Sequence, residues 1–233
     1  MAAGYRQFCP VALAAEVLAE RWTPLVVREL LCGSSRFSEL RRGLPRIPPA
    51  TLDARLKKLE PLGVVTRCNT NGGWTLTEAG QALFPVIDAL GVWAQRWLQA
   101  GTLEEQNLDP GLLMWDIRRT VRPLGKGGFR RVIEFRLTGV PPNKQRYWLL
   151  RGDGEIDLCY RDPGYPLDLA VAVSLRDLTA IWLGHLELDR ALACGVLRLE
   201  GSRTEREDFT TWFALSPSAG EAQPRDPSDM PAA

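Results

Sequence analysis

Residues 34–63, SSRFSELRRGLPRIPPATLDARLKKLEPLG, decide the fold. A short helix is expected over Phe37–Arg42, with Phe37 and Leu40 directed inward. The Leu44–Pro49 turn carries three prolines, which restrict φ and fix the angle at which the next helix starts. That helix, expected over Pro49–Leu62, places Leu52, Leu56 and Leu59 at the i, i+4, i+7 spacing of one face. The opposite face shows Ala50, Asp53, Ala54 and Lys57, flanked by Thr51 and Lys58. A helix that approaches base edges and phosphates needs this layout: an apolar side held by a bundle, and small or cationic residues on the other. Exposed lysines alone would say only that a helix is solvated. The neighbouring segments carry the reading further.

Residues 64–80, VVTRCNTNGGWTLTEAG, follow directly. They predict a ribbon of Val64–Arg67 against Trp74–Leu76, turned over Asn69–Gly73, where Asn-Gly-Gly tolerates positive φ. Arg67 is the only cation on this ribbon. Upstream, Val11, Ala14, Ala15 and Leu18 mark a helix over Val11–Glu20. A second helix spans Pro24–Cys32, with Thr23 as N-cap, Pro24 at the first position and Gly33 as stop. It is expected to bury Leu25, Val27 or the stem of Arg28, Leu30 and Leu31. Three helices, a basic helix and a ribbon, in that order, read as a winged helix-turn-helix for double-stranded DNA. Arg36, Arg41, Arg42, Lys57 and Lys58 would meet phosphates, and Thr51 and Ala54 would meet bases. Ser38, Pro49, Ala50 and Arg67 complete the expected DNA-binding surface.

Thr77 can cap the next helix, and Pro85 predicts a break near Phe84. Beyond it Val86, Ile87, Leu90, Trp93, Ala94 and Trp97 form an apolar face too broad for so small a domain to cover. Pairing of two such helices through Leu90, Trp93 and Trp97 is one explanation; cover by the second domain is the other.

The segment from about residue 5 to 100 resembles the HxlR-type family of winged-helix transcriptional regulators. The resemblance rests on Cys9-Pro10, Arg21-Trp22-Thr23, Leu30-Leu31, Arg36-Phe37-Ser38-Glu39-Leu40, Leu52, Arg55–Glu60 and Leu76-Thr77-Glu78-Ala79-Gly80. It implies a homodimer on an inverted-repeat operator. The wing is shorter and poorer in arginine than the family pattern, and Pro48 stands where a small hydroxyl residue is common. Cysteine-sensing members use a thiol near the amino terminus, which the resemblance places at Cys9, close to Arg6. A small buried thiol is the plainer reading of that residue.

Composition sets limits around this reading. A chain of 233 residues suits two domains. Net charge is +1, yet residues 1–100 hold 12 Lys+Arg against 8 Asp+Glu, and residues 101–233 hold 17 against 20. A basic first half joined to an acidic second fits a nucleic-acid module joined to something else. Five scattered cysteines without a CxxC pair argue against a disulfide framework or a zinc site and for the cytoplasm. No run is long enough for a signal peptide or membrane span.

In the second half, Asp109-Pro110 starts a helix that Pro123 ends. The Gly125–Gly128 loop lacks phosphate-binding spacing. Four strands follow: Ile133–Leu137, with Glu134 and Arg136 on the other face; Tyr147–Arg151; Glu155–Tyr160 after the Gly152-Asp153-Gly154 turn; and Leu167–Val173. Ser174 caps a helix, a second runs from Leu188 to Gly195, Val196–Leu199 is a fifth strand, and Ser202 with Glu205 opens a last helix. This half resembles the sterol carrier protein-like fold through Asp168-Leu169, Ser174–Leu178, Trp182-Leu183-Gly184, Ala191, Gly195, Leu197 and Glu200-Gly201; Ser202 stands where that family keeps aspartate. The resemblance implies a five-stranded sheet covered by helices, with an apolar tunnel in lipid-carrying members. Phe135, Leu150, Leu158, Val171, Ile181, Trp182, Phe209 and Trp212 would line a ligand cavity or fill an ordinary core.

The expected class is therefore α+β: a winged domain over 1–100, a sterol carrier-like domain over 108–214 and a disordered tail over 215–233. No catalytic constellation emerges around His185, the sole histidine, which is expected in an exposed loop. Neither enzyme activity, cofactor nor metal is expected. The expected function is a dimeric DNA-binding regulator whose second domain can take an apolar small-molecule effector. The alternative is a hydrophobe carrier whose winged domain serves only dimerisation or protein contacts.

Overall fold

The computed structural model describes residues 4–68, 72–124, 130–152 and 154–221. The tip of the ribbon turn at 69–71, the Gly125–Gly128 loop, Asp153 and most of the expected tail lie outside the described residues. The chain divides into two compact units, Met1–Leu90 and Gly91–Ala233.

The first unit is a winged helix-turn-helix. It orders α1 (Pro10–Leu18), α2 (Thr23–Leu31), α3 (Phe37–Gly43), α4 (Pro49–Leu59), β1 (Val65–Arg67), β2 (Trp74–Leu76) and α5 (Glu78–Gln81). Helix α6 (Phe84–Trp97) begins here and runs on into the second unit. Pro85 falls at its second position, so the chain breaks before Phe84 as the missing proline N–H requires. Thr77 caps α5 by accepting from the Gly80 N–H.

The core gathers Val26, Val27, Leu30, Leu40, Leu44, Ile47, Leu52, Leu56, Leu59, Val65, Trp74 and Leu76. Two expectations fail in α2. Trp22, with φ at +79°, holds the capping position, and Thr23 is already helical and buried. The buried stripe is therefore Thr23, Val26, Val27 and Leu30, an i, i+3, i+4, i+7 set that leaves Leu25 exposed and Leu31 half-buried. Phe37 is also exposed, because as first residue of α3 it lies at the edge of the bundle. Helix α4 ends at Leu59, and Leu62 is exposed beyond it.

The second unit continues with α7 (Gln99–Thr102), α8 (Pro110–Thr120), β3 (Arg131–Thr138), β4 (Arg146–Arg151), β5 (Ile156–Cys159), β6 (Leu169–Ser174), α9 (Leu175–Trp182), α10 (Leu188–Ala193), β7 (Arg198–Gly201) and α11 (Arg203–Trp212). Asp109, Ser174 and Ser202 cap α8, α9 and α11 through their side-chain oxygens, as short polar residues before a helix do. The strands form one sheet in the order β5-β4-β3-β6-β7, with β3 and β6 parallel and the other neighbours antiparallel.

One sheet face, with Ile133, Phe135, Leu137, Tyr147, Leu149, Leu169, Val171 and Val173, joins Met114, Ile117, Leu178, Ile181, Phe209 and Trp212 in the main core. The other face is not the open polar surface that alternation predicts. Val132, Trp148 and Leu150 form a second small cluster there. Glu134 is only 2% exposed, beneath the guanidinium groups of Arg136 and Arg146, both of which donate to it. That pairing is what makes a buried carboxylate tolerable, and it holds the Arg136 guanidinium above its ordinary pKa.

Candidate nucleic-acid interface

Helix α4 is anchored from behind. Leu52, Leu56 and Leu59 are buried in the bundle, and Arg55 donates to the Arg21 carbonyl while pairing with Glu20 at 2.6 Å. The amino-terminal half of the helix stays outside: Pro49, Ala50 and Ala54 are exposed and Thr51 is half-buried. Pro48 takes the capping position with extended backbone and supplies no side-chain cap, so proline stiffness sets this start. Helix α3 is tied at its own start by Glu39, whose carboxylate accepts from the Ser35 and Arg36 N–H groups at 2.9 and 3.0 Å. The Trp74 N–H donates to the Ser35 carbonyl at 2.8 Å, which docks the ribbon on the same turn.

The expected contact residues divide into two groups. Arg36, Ser38, Arg41 and Arg42 are exposed on and before α3, beside the small-residue start of α4. Three further cations sit in ion pairs or against a ring. Lys57 pairs with Asp53 at 2.8 Å, Lys58 with Glu20 at 2.6 Å, and the Arg67 guanidinium lies 3.8 Å from the centre of the Trp74 ring. Sequence reasoning passed over Arg46, exposed in the turn between α3 and α4; its place between Pro45 and Pro48 was the available signal. It also passed over Glu20, the anion that holds Arg55 and Lys58.

Leu90, Trp93 and Trp97 are exposed on α6, Trp93 by 53%. Helix α1 buries none of its residues, and Phe8 before it is wholly exposed. Cys9 sits half-buried at the capping position of α1.

In the second unit seven of the eight expected cavity residues pack in or against the main core. Leu150 instead belongs to the cluster on the other sheet face, because alternation along β4 sends residues 148 and 150 opposite to 147 and 149. Open space lies elsewhere: a cleft of about 510 Å³ lined by Ala94, Leu98, Leu112, Leu113, Trp182 and Leu183 among others, with Trp182 alone shared with the expected set. No sequence signal marked it. His185 is half-buried rather than loose, its Nε2 is 3.1 Å from Gln95 Oε1, and burial lowers its pKa below 6.5. Burial, with Asp109 and Tyr160 adding, pushes the Tyr147 hydroxyl up to about 12, and burial also raises the Cys159 thiol. Among the described residues no group of three or more His, Cys, Asp and Glu could hold a metal ion, and no helix is long and apolar enough to cross a membrane.

A profile described as HxlR-like helix-turn-helix matches residues 17–102. The chain is 36% identical over 104 residues to the uncharacterized HTH-type transcriptional regulator YvaP of Bacillus subtilis, an alignment covering 42% of this chain and 96% of that protein. It is 40% identical over 93 residues to the uncharacterized HTH-type transcriptional regulator MT3179 of Mycobacterium tuberculosis, covering 38% of this chain and 58% of that relative. The crystal structure of quinone-bound YodB from B. subtilis is similar at 37% identity over 37% of this chain and 96% of that chain, with a TM-score of 0.34. Through its amino-terminal unit this chain belongs to the HxlR-like helix-turn-helix family.

Proposed function

We propose that the protein is a homodimeric, DNA-binding transcriptional regulator whose α4 enters the major groove of an inverted-repeat operator. The second unit, in this reading, is a sterol carrier-like domain that holds an apolar effector. The observation that carries the DNA-binding part is the exposed small-residue start of α4. Pro49, Ala50, Thr51 and Ala54 stand opposite a fully buried leucine stripe, with Arg36, Arg41 and Arg42 exposed alongside. Small side chains let a helix lie deep in a groove while flanking guanidinium groups reach phosphates. The regulator names of the relatives support the same reading.

The dimer is supported by the exposed apolar stripe of Leu90, Trp93 and Trp97, a surface that isolated soluble chains seldom leave open. The sterol carrier-like identity is supported by the order of elements, helix, four strands, two helices, strand, helix, around a five-stranded sheet. Five free thiols fit a reducing cytoplasm. The engagement of Lys57, Lys58 and Arg67 inside the protein is the observation that favours the rival carrier reading.

Fluorescence anisotropy on a duplex obtained by in vitro selection separates the two. Ala54→Glu places a carboxylate against the groove without touching the core, and it should weaken binding by about a hundredfold at constant thermal stability. If the wild-type chain selects no duplex, or the variant binds as tightly, the carrier reading takes over.

A further inference from the structure

We propose that the second unit binds a hydrophobic amine in the cleft formed by the end of α6, α7, α8 and α9. The proposal rests on the effector reading above and gives that effector a chemical class. The cleft, about 510 Å³, matches the size of sites that take drug-sized molecules. Its walls are mostly apolar, from Ala94, Leu98, Leu112, Leu113, Trp182 and Leu183.

Most of the polar groups on its lining present acceptors. Thr102 and Thr179 give their hydroxyl hydrogens to the Gln99 and Leu175 carbonyls at 2.7 and 2.8 Å. The Asn107 amide donates one of its hydrogens to the Gly101 carbonyl at 2.7 Å. The indole N–H of Trp182 is directed to Thr120, at 3.4 Å. Asp109 accepts from the Leu112 N–H, and its carboxylate has lone pairs for more than one donor, while Asp116 is already paired with Arg119 at 3.0 Å. Among the described residues no lysine or arginine lines the space. A ligand there gains by bringing donors and positive charge, and a carboxylate ligand is disfavoured by the Asp109 carboxylate. A second groove in the same unit is lined by Leu192, Leu197 and Leu199 with Arg198, Arg203, Arg206 and Glu207, the last paired with Arg203.

The cleft also reaches the helix expected to dimerise. At about 100° per residue, Ala94 and Leu98 stand beside the stripe of Leu90, Trp93 and Trp97 along α6. An occupant therefore presses on the edge of the proposed dimer face, and its binding should change operator affinity.

Isothermal titration of the full chain with naphthylmethylamine and with naphthoic acid tests the class. The amine should bind at one per chain, with the acid weaker by about tenfold or more. Thr179→Trp, which fills the cleft, should abolish amine binding. Asp109→Asn keeps a side chain able to cap α8 and should narrow the gap between amine and acid, so it carries the test even if the tryptophan variant fails to fold. No amine binding, an acid that binds as tightly, or amine binding undiminished in a folded Thr179→Trp overturns the proposal. Anisotropy on the selected duplex keeps the two readings apart. Amine uptake without any duplex binding leaves the cleft standing and removes the regulator; duplex binding without amine uptake does the reverse.

Discussion

In the amino-terminal unit a wholly buried carboxylate, Glu29, is held by Arg28 and the Ser34 hydroxyl inside the bundle, while Arg36, Arg41 and Arg46 remain on the surface of the helix-turn-helix. In the carboxy-terminal unit the arginines serve as cover. Arg136 and Arg146 close over Glu134, Arg131 pairs with Glu205 and Asp168, and Arg151 is buried between Asp208 and the Arg122 carbonyl. The second half of the chain holds the larger number of Lys+Arg, 17 against 12, yet the four arginines on β3 and β4 that are named here are each paired with a carboxylate. A count of cations thus says little about a nucleic-acid surface. The position of the partner carboxylates decides it.

The contrast breaks most readily at Gly43. A Cβ there would stand 1.9 Å from Glu29 Oε2, with the carboxylate buried and unable to retreat into solvent. Gly43→Ala should cost about 3 kcal/mol and lower the urea midpoint of the first unit alone. If both units shift together, they do not hold their charges independently. Arg151→Met comes next. It removes the hydrogen bond to the Arg122 carbonyl, the pair with Asp208 and the stacking on Trp212, and should destabilise the second unit by about 2 kcal/mol. The methionine fills the space, and because Asp208 is partly exposed its lost partner is replaced by water.

Lys57→Ala with Lys58→Ala sharpens the comparison on the DNA side. Exposed ion pairs are weak, so both lysines can exchange Asp53 and Glu20 for phosphates. Operator affinity should fall by about fivefold and the salt dependence should flatten by about two counterions. Unchanged affinity and slope would assign both lysines to the protein's own pairs. The smallest effect concerns His185, whose folded-state pKa lies below 6.5. As pH falls through 6.5 the unfolded chain takes up this proton before the folded one. Stability is therefore complete above that pH, declines toward the depressed pKa and levels off below it. His185→Gln should remove this decline between thermal melts at neutral and mildly acidic pH.

The winged unit was legible because its signals are local. Leucine spacing in α4, the proline turn before it and the Asn-Gly-Gly ribbon each depend on nearby residues, and all agree with the coordinates on the described residues. The error at Leu25 came from choosing one apolar stripe where two were available, and that at Phe37 from its place at the first position of α3; only the bundle decides both. In the second unit the strands, their turns and the three capping residues were readable for the same reason. The cleft was not, since it is lined from α6, α7, α8 and α9 together, residues far apart in sequence with no shared period.

Sequence by itself determined the order of helices and strands, which face of α4 is apolar and which family the first unit resembles, because periodicity and capping act over a few residues. Tertiary structure alone decided which cations remain on the surface, that Glu134 lies buried under two arginines, that Leu150 faces away from the main core and that an acceptor-lined cleft exists. Ion pairing and enclosed space arise between side chains that only the folded chain brings together.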